Sequence, residues 1–539
     1  MSKKIFVTTS LPYANGDLHV GHLLEHVQAD IWVRYQRAIG NQCLFISGND
    51  AHGSAIMLSA EKQSMTPEAW VDKVSAEHRR DIEDFGISFD VFHTTRSPEN
   101  QALVYRLYDT IKTHGGFAVQ SVSQPYDVEK SMFLPDRFVK GTCPKCQAND
   151  QYGDNCEVCG ATYEPMELID PYSVLSHTTP EVRDSDHVFF KLAAMQSKLK
   201  AWMDSVDLQD AVRNKLLEWF QSGLKNWDIS RDAPYFGFTI PGYEDKYFYV
   251  WMDAPVGYLA ALRYYDVQNK TQYLEEIWLD HSSAWEIHHF IGKDIMYFHG
   301  LFWPAVLKAA DFRTPTSLHA HGFLTLNGAK MSKSRGSFVT IRQYLDRFSP
   351  EYIRYYFASK LGSGVADMDL NWEDFTRRCN ADLVGKIVNV GSRSCGFLHK
   401  YFQGKLADSL DEGDRLKIFF DKKTAIMGFY EDKNFAKVVR EIAALADLAN
   451  QYVDEKKPWS LAKDPSQLAL VHRIVTTTMH MFRLIMLYLK PILPETTEKV
   501  ALLFMQDDLD WAHHDRLLLS QAVNTFPRLL ERVRLEDCP

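Results

Sequence analysis

Four cysteines recur at a spacing typical of a tetrahedral metal site. They form two Cys-x2-Cys pairs separated by nine residues, and they are Cys143, Cys146, Cys156 and Cys159. Each pair can direct two sulfur atoms to one point, and four thiolates saturate a tetrahedral Zn²⁺ without leaving a position for water. We therefore expect one structural Zn²⁺ in a small knuckle. Two redox or incidental Cys-x2-Cys pairs are the alternative, which this tandem spacing disfavours.

Two histidines flank a glycine where a first helix is expected to begin. His19, Gly21 and His22 follow the short β-branched run 4–9, and an apolar helical stripe starts after Gly21. A helix N-terminus offers N–H groups to phosphate, a glycine lets a flat base approach the backbone, and imidazoles can donate hydrogen bonds to phosphate oxygens. A metal-binding pair or incidental surface histidines would give the same short motif.

Three cations lie in the segment 330–336, KMSKSRG, directly after an Asn-Gly turn at 327–328. By itself such a segment is consistent with a solvated basic loop. Lys330 and Lys333 beside a nucleotide-binding sheet would instead suit a leaving pyrophosphate, because point charges on a mobile loop can follow it. The two motifs together favour a nucleotide site.

The elements that must position these motifs alternate between strand and helix. The run 4–9, the helical stripe from residue 21 to 35 and the run 43–46 form a strand–helix–strand unit, which favours a parallel, doubly wound sheet. A polar, turn-rich section with the cysteines then interrupts the alternation until about residue 228. Further strands are expected at 247–251, 286–291 and 317–321.

Helical periodicity dominates from residue 382 onward. Long apolar stripes at 3.6-residue spacing cover 383–402, 416–453 and 468–489. The expected fold is therefore an α/β Rossmann-type sheet split by a zinc-binding insertion and followed by an all-α bundle. The expected domains are 1–115 and 229–322 for the two halves of the sheet, 116–228 for the insertion with its knuckle at 143–159, 323–381 for the lysine loop, and 382–539 for the bundle.

Composition excludes some classes of protein and is silent about partners. The 539 residues contain 60 Lys+Arg and 70 Asp+Glu, so the net charge is −10. An average over a long chain hides any local basic surface that could bind nucleic acid. No run approaches the roughly 18 apolar residues of a membrane span, and the start lacks a signal-peptide pattern, so we expect a cytoplasmic protein without a membrane anchor.

The two motifs resemble the signatures of class I aminoacyl-tRNA synthetases, and further segments resemble the methionyl-tRNA synthetases within that class. The supporting segments are 11–16, 48–53, the cysteine quartet, 227–231, 250–255 and 292–295. The resemblance implies a ligase that forms methionyl-adenylate from L-methionine and Mg²⁺-ATP. The enzyme would then transfer the methionyl group to the terminal adenosine of tRNA(Met), both initiator and elongator.

The resemblance also implies roles for individual residues. His19, His22, Lys330 and Lys333 would be catalytic, as binders of the transition state, and with Gly21, Gly292 and Asp294 they would bind ATP. Asp50 would accept the α-amino group of methionine, although read alone it could be a helix N-cap. The remaining methionine-binding residues implied are Ser10, Leu11, Tyr13, Trp251, Ala254, Pro255, Tyr258, Ile295 and His299.

In the bundle, the resemblance implies that Asn389, Arg393, Pro458 and Trp459 bind the anticodon. Asn389 and Arg393 are four residues apart and share a helix face, and Trp459 would be a stacking platform for a base. An interhelical polar pair and a half-buried tryptophan are the alternative. We expect a monomer, because the chain lacks the C-terminal dimerising domain of some relatives. Two other functions stay open: a non-catalytic zinc-containing tRNA-binding protein, and a class I synthetase for another aliphatic amino acid.

Overall fold

The central sheet has six strands, all parallel. The computed structural model describes residues 2–331 and 338–539, without the side chain of Lys330. In spatial order the strands are Asp207–Leu208, Ser317–His321, Trp285–Gly292, Lys4–Thr9, Gln42–Asn49 and Val91–Thr94. The first strand lies in the middle, with Lys4 opposite both Gln42 and Trp285. The doubly wound parallel sheet expected from the sequence is confirmed.

Each face of this sheet is covered by helices, which explains why its strands read as continuous apolar runs. Ile5 and Val7 face the first helix, Val20–Ala38, whereas Phe6 faces the opposite layer. That opposite layer contains Pro98–Thr113, Gly257–Asn269 and Trp303–Ala309. Helices Ser54–Lys62 and Pro67–Asp84 lie between the second and third strands in the chain.

The insertion is built on a long antiparallel pair of strands. Phe117–Asp127 pairs with Glu181–Phe190, and Met132–Phe133 and Trp227–Asp228 complete this sheet. A second small sheet of Val139–Thr142, Gln151–Tyr152 and Ile169–Ser173 carries the cysteine knuckle. Helices Gln196–Ser205 and Asp210–Ser222 follow. Between them, Asp207–Leu208 already pairs with the central sheet, inside the stretch that the sequence suggests is inserted.

The run 247–251 is not a strand of the central sheet, contrary to expectation. Lys246–Phe248 pairs antiparallel with the short strand Ser230–Asp232, and a helical turn, Val250–Asp253, follows at once. Phe248 is buried, whereas Tyr249 and Trp251 are half-buried in the wall of a cleft, where Trp251 stacks on Phe298. Burial against a cleft gives the same apolar pattern as burial in a sheet, so the sequence did not separate the two.

A small sheet follows the last central strand. Leu324–Leu326 pairs with Ala329–Lys330 and with Met368–Leu370. Asn327 and Gly328 have φ values of 50° and 78°, as a two-residue hairpin turn requires. Helices Ile341–Leu345, Pro350–Lys360 and Trp372–Arg378 complete this region.

The remaining domain is a helical bundle, as expected. Its helices are Cys379–Val388, which is π-helical, and Asn389–Phe402, Gly413–Asp421, Lys423–Glu431, Phe435–Lys456, Pro458–Leu461, Leu468–Leu489 and Pro494–Leu503. The stripe 416–453 is divided into three helices by one break at Lys422 and a second at Lys433, which has a left-handed φ of 56° and precedes the cap Asn434. From residue 505 the chain runs back over the bundle in irregular conformation. None of the helices in the described ranges combines the length and apolar character that a lipid bilayer requires.

Candidate active site and metal centre

A cleft of about 1340 Å³ opens at the carboxyl ends of the central strands, where ligands bind in open parallel sheets. Ser10 follows the first strand, Asp50 follows the second, and Asp294 follows the strand Trp285–Gly292. The insertion contributes the far wall through Asp136 and Tyr152.

The structure brings together every predicted nucleotide and methionine residue that it describes with its side chain. Those that line this one cleft are Ser10, Leu11, Tyr13, His19, Gly21, His22, Asp50, Trp251, Ala254, Pro255, Tyr258, Gly292, Asp294, Ile295 and His299. Lys333 and the side chain of Lys330 lie outside the described part of the chain. Met331, next to Lys330, also lines the cleft.

The histidine turn caps the first helix. Gly21 N–H donates to His19 Nδ1 at 3.0 Å, and His19 N–H donates to His22 Nδ1 at 3.1 Å. The two rings lie 3.8 Å apart between centroids. Because both Nδ1 atoms accept, each neutral ring carries its proton on Nε2. A Cβ on Gly21 would lie 2.6 Å from Met331 Cε and 2.7 Å from His19 Cε1, so only glycine fits without a shift.

The segment after the lysine motif is hydrogen-bonded to the histidine turn. Val20 N–H donates to the carbonyl of Val339 at 3.0 Å, and Ile341 N–H donates to the carbonyl of Leu18 at 3.0 Å. The chain that leaves the lysine segment is therefore fixed to the start of the first helix.

Asp50 places a carboxyl group at one end of the cleft. Its backbone is fixed by a hydrogen bond from Ala14 N–H at 2.8 Å and one to the Pro12 carbonyl at 3.0 Å. Its Oδ1 is buried and accepts no hydrogen bond from any residue that the structure describes. Burial, and then the charge of Asp253, hold the pKa of Asp50 well above its usual range. Gly53 caps the following helix, so the N-cap alternative for Asp50 is not what the structure has.

An apolar end of the cleft lies beside Asp50. Trp251 stacks on Phe298 with 3.6 Å between centroids and 7° between planes. His299 Nδ1–H donates to the Ile295 carbonyl at 3.1 Å, so its Nε2 accepts from the Tyr258 hydroxyl at 2.8 Å. Burial lowers the pKa of His299 to about 4, which keeps the ring neutral at physiological pH.

Gly292 and Asp294 form a tight turn at the end of their strand. A Cβ on Gly292 would lie 2.5 Å from Asp294 Oδ1, so the glycine leaves room for this carboxylate beside the backbone. The turn Lys293–Ile295 presents Asp294 to the cleft next to His321, which also lines it.

Arg231 is a cleft residue to which the sequence reasoning gave no role. Its guanidinium lies 3.9 Å from the centroid of the Tyr249 ring, and it donates to the Ser230 carbonyl at 2.6 Å. A cation at this place can meet a carboxylate or phosphate of a ligand. The available signal was its position in the segment 227–231, which supports the resemblance.

The four cysteines converge in the knuckle. Their Sγ atoms all lie within 4.8 Å of one another, at 3.9 Å for Cys143 and Cys159 and 3.5 Å for Cys146 and Cys156. Sulfurs around a tetrahedral Zn²⁺ would be about 3.8 Å apart, whereas a disulfide needs about 2 Å. Despite burial, backbone N–H groups of Cys159 and Val158 lower the pKa of Cys156, whereas hydrogen bonding to the neighbouring thiols raises the pKa of Cys146, so the cysteines lose their protons in sequence and not together. The cluster can hold a metal ion.

The predicted anticodon residues are partly brought together. The Arg393 guanidinium lies 5.1 Å from the centroid of the Trp459 ring, and both side chains are exposed. Asn389 begins the helix that carries Arg393, and Pro458 is buried at the first position of the turn that presents Trp459.

These features define a class of protein: a nucleotide-binding parallel sheet with a histidine turn, a metal-binding insertion and a helical bundle. Residues 5–395 match the family model described as tRNA synthetases class I (M), and residues 412–526 match that described as the anticodon binding domain of methionyl tRNA ligase. The chain belongs to this methionyl family of class I tRNA synthetases.

Solved structures of similar fold include two from Mycobacterium tuberculosis. Its methionyl-tRNA synthetase in complex with methionyl-adenylate is 24% identical with a TM-score of 0.81, over 98% of this chain and 100% of that chain. The apo form of that enzyme is 22% identical with a TM-score of 0.76, over 99% of each chain. At this identity the likeness establishes a shared fold.

Proposed function

We infer that the protein is a methionine–tRNA ligase that forms methionyl-adenylate and pyrophosphate from L-methionine and ATP, and then methionylates initiator and elongator tRNA(Met). The observation that carries this is the cleft itself. One end combines a half-buried carboxylate, Asp50, with an aromatic pocket, and the other end is a helix N-terminus with two histidines. An amino acid with an apolar side chain and a triphosphate fit the two ends.

In the proposed first step the methionine carboxylate attacks the α-phosphorus of ATP. Such a displacement needs positioning and charge stabilisation more than covalent help. His19 and His22 donate from Nε2 to phosphate oxygens as charge develops, and Lys330 and Lys333 are proposed to neutralise the leaving pyrophosphate. Mg²⁺ bound to ATP supplies further charge neutralisation.

The adenosine is proposed to lie along the glycine turns. Gly21 and Gly292 allow the base and sugar to approach the backbone, since a side chain at either place would meet its neighbours. Asp294 would accept from the ribose hydroxyl groups.

Methionine is proposed to lie with its ammonium group on Asp50. The thioether would lie among the apolar side chains that line this end, where sulfur–aromatic contacts contribute about 0.3 to 1.5 kcal/mol. These side chains are Leu11, Tyr13, Trp251, Ala254, Pro255, Tyr258, Ile295 and His299, with Ser10 at the strand end. The neutral His299 is held in one tautomer, which gives the pocket a fixed polar wall.

The metal of the knuckle is proposed to be one structural Zn²⁺. Four sulfurs at tetrahedral spacing match its preference and leave no position for water or substrate. Its proposed role is to stabilise the small sheet of the insertion that carries the cysteines, next to the far wall of the cleft.

The tRNA is proposed to reach the bundle with its anticodon. Trp459, with Arg393 over its ring, would stack on a base, and Asn389 and Pro458 would complete the contact. We expect a cytoplasmic monomer.

The test is pyrophosphate exchange into ATP, measured with each of the twenty amino acids separately. Exchange with methionine alone, followed by methionylation of tRNA(Met), is the expected result. Exchange with another aliphatic amino acid instead would favour a different synthetase, and the absence of any exchange would favour a tRNA-binding protein without catalysis.

A further inference from the structure

A buried carboxylate, Asp253, contacts His52, which lies two residues after the half-buried Asp50. Asp253 ends the helical turn Val250–Asp253 and is 1% exposed. Its Oδ1, like Oδ1 of Asp50, is buried without a hydrogen-bond partner among the residues that the structure describes. Two neighbouring carboxylates that each bury an unsatisfied oxygen are costly when both are charged, because each is partly desolvated and repels the other.

His52 holds this second carboxylate in place. Its Nδ1 lies 2.5 Å from Asp253 Oδ2, and its ring is packed edge-on against Phe238 with 4.5 Å between centroids. The histidine is 2% exposed. No role has been assigned above to the pair of His52 and Asp253. The pair joins the segment after the second strand to the cleft wall that carries Trp251.

The groups that face Asp50 supply little positive charge when the cleft holds no ligand. They are Asp253, the backbone N–H of His52, and the phenols of Tyr13, Tyr249 and Tyr258. Burial, and then Asp253, raise the pKa of Asp50 well above its usual range. Burial also raises the pKa of Asp253, which His52 opposes. Such carboxylates titrate as a pair, as two like charges in one site do.

We propose that Asp50 and Asp253 share a proton in the empty cleft and release it when the ammonium group of the amino acid binds. The proton passes to the solvent buffer, and the positive charge of the ligand takes its place beside Asp50. His52 and Asp253 are then positioning residues, because they act on the ligand through Asp50. The proposal rests on the role proposed above for Asp50.

Proton release has a thermodynamic signature that a structural role does not have. Affinity for methionine rises with pH by up to about tenfold per pH unit if one full proton is released. The heat of binding also depends on the ionisation enthalpy of the buffer, since the buffer takes up the proton. Between about pH 6 and 7 the ligand ammonium does not itself titrate.

The experiment is calorimetric titration of the complete protein with L-methionine in two buffers of different ionisation enthalpy. We expect the binding heats in the two buffers to differ, and the difference to be proportional to the number of protons released per methionine bound. The affinity for methionine should rise between about pH 6 and 7. Asp253→Asn keeps a partner for His52 but removes the second carboxylate, so its released fraction falls and its affinity persists to lower pH. Asp266→Asn is the matched control, because Asp266 is also buried but accepts hydrogen bonds from Thr271, Tyr273 and Leu274 in a loop that does not line the cleft.

Equal heats in both buffers with a pH-independent affinity would overturn the proposal, and so would an unchanged proton release in Asp253→Asn. If Asp253→Asn does not fold, the pH dependence of the unaltered protein still decides, because a flat profile excludes the linkage. Asp50→Asn separates the two inferences. If it binds methionine as tightly as the unaltered protein, the role of Asp50 itself fails, whereas weak binding with an undiminished proton release overturns only the shared proton.

Discussion

Hydrogen bonds around His299 leave it no freedom of tautomer. The Ile295 carbonyl takes the Nδ1 proton and the Tyr258 hydroxyl supplies one to Nε2. With its pKa lowered to about 4 by burial, the ring gains charge only in acid, so it presents a constant neutral surface above about pH 6.

Tyr258→Phe should therefore weaken methionine binding. The change leaves His299 Nε2 buried without a donor, which lowers the stability by roughly 1 to 3 kcal/mol. It also releases the ring that lines the pocket from its fixed tautomer, and a loss of about 1.4 kcal/mol in methionine binding would raise KM about tenfold. Pyrophosphate-exchange kinetics measure this. In Tyr430→Phe, which loses a buried hydroxyl bond to the Tyr488 carbonyl far from the cleft, we expect lower stability and an unchanged KM. Equal KM values in the unaltered protein and Tyr258→Phe would contradict the role of the pair.

Trp459→Ala should affect tRNA and not adenylate formation. An exposed indole beside Arg393 can stack on a base, which is worth about 1 to 3 kcal/mol per base. We expect KM for tRNA to rise about 5- to 100-fold, while tRNA-independent pyrophosphate exchange stays constant. Tyr401→Ala is a control on the same bundle. Tyr401 is exposed like Trp459, and it also has a cation over its ring, in this case Lys400. A parallel loss of both activities would mean that Trp459 only supports the fold.

At the scale of elements, local patterns predicted what local interactions decide. The first strand, the helix that begins at the histidine turn, the Asn327-Gly328 hairpin and the helix Leu468–Leu489 follow from apolar period and turn residues. The prediction that the apolar run at 247–251 belongs to the central sheet was wrong, because a cleft wall and a sheet cover the same residue types.

Pairings between distant segments escaped the sequence. His52 and Asp253 are 201 residues apart, and the sequence next to either residue does not predict their contact. The cysteine quartet was found because its ligands come as two local pairs within one short segment. The cleft residues other than the signatures came from the resemblance, since a lone tryptophan or tyrosine is ambiguous between core and ligand.

Cys156→Ser should remove the metal and unfold only the knuckle. The core of this region, Met132, Leu134, Phe138, Val139 and Leu168, is separate from the two large cores, so little of the remaining fold depends on it. Metal binding supplies about 10 to 16 kcal/mol in structural zinc sites, far more than so small a core. Elemental analysis should show one zinc per chain in the unaltered protein and none in the variant.

Limited proteolysis should then cut the variant first near 143–159. Cys395→Ala is the matched control, because Cys395 is buried in the bundle and should change stability without changing metal content. Full zinc occupancy in Cys156→Ser would contradict the four-ligand site.

At the scale of the whole molecule, the catalytic domain and the bundle share one continuous core. The helix Val20–Ala38 packs on the sheet and also against the bundle, where Tyr35 stacks on Tyr430 with 4.9 Å between centroids. Arg354 donates to the carbonyls of Pro491 and Ile492 and pairs with Asp30 of that helix at 2.7 Å.

Asp30→Asn should destabilise the whole chain. The change leaves Arg354 buried without its counter-charge, and breaking a buried pair typically costs about 3 to 5 kcal/mol. Burial raises the pKa of Asp30, but the charges of Arg34 and Arg354 outweigh burial and lower that pKa strongly. The contribution of Asp30 to stability is therefore present above about pH 4 and is lost as the pH falls. Urea unfolding at neutral pH measures the loss. Asp537→Asn, in an exposed pair with Arg534, should change the stability little, because water and salt screen such a pair. A similar loss of stability in both variants would show that the Asp30–Arg354 pair does not stabilise the contact between the catalytic domain and the bundle.

The order of strands in the sheet also has a consequence for synthesis on the ribosome. The first strand, Lys4–Thr9, needs Trp285–Gly292 on one side, and at about 5 to 20 residues per second the ribosome takes about 15 to 55 s to make the chain between them. Throughout that interval the nascent chain carries one strand edge without its final partner. The antiparallel pair Phe117–Asp127 and Glu181–Phe190 is synthesised long before then. The insertion can therefore fold while the central sheet still lacks some of its strands.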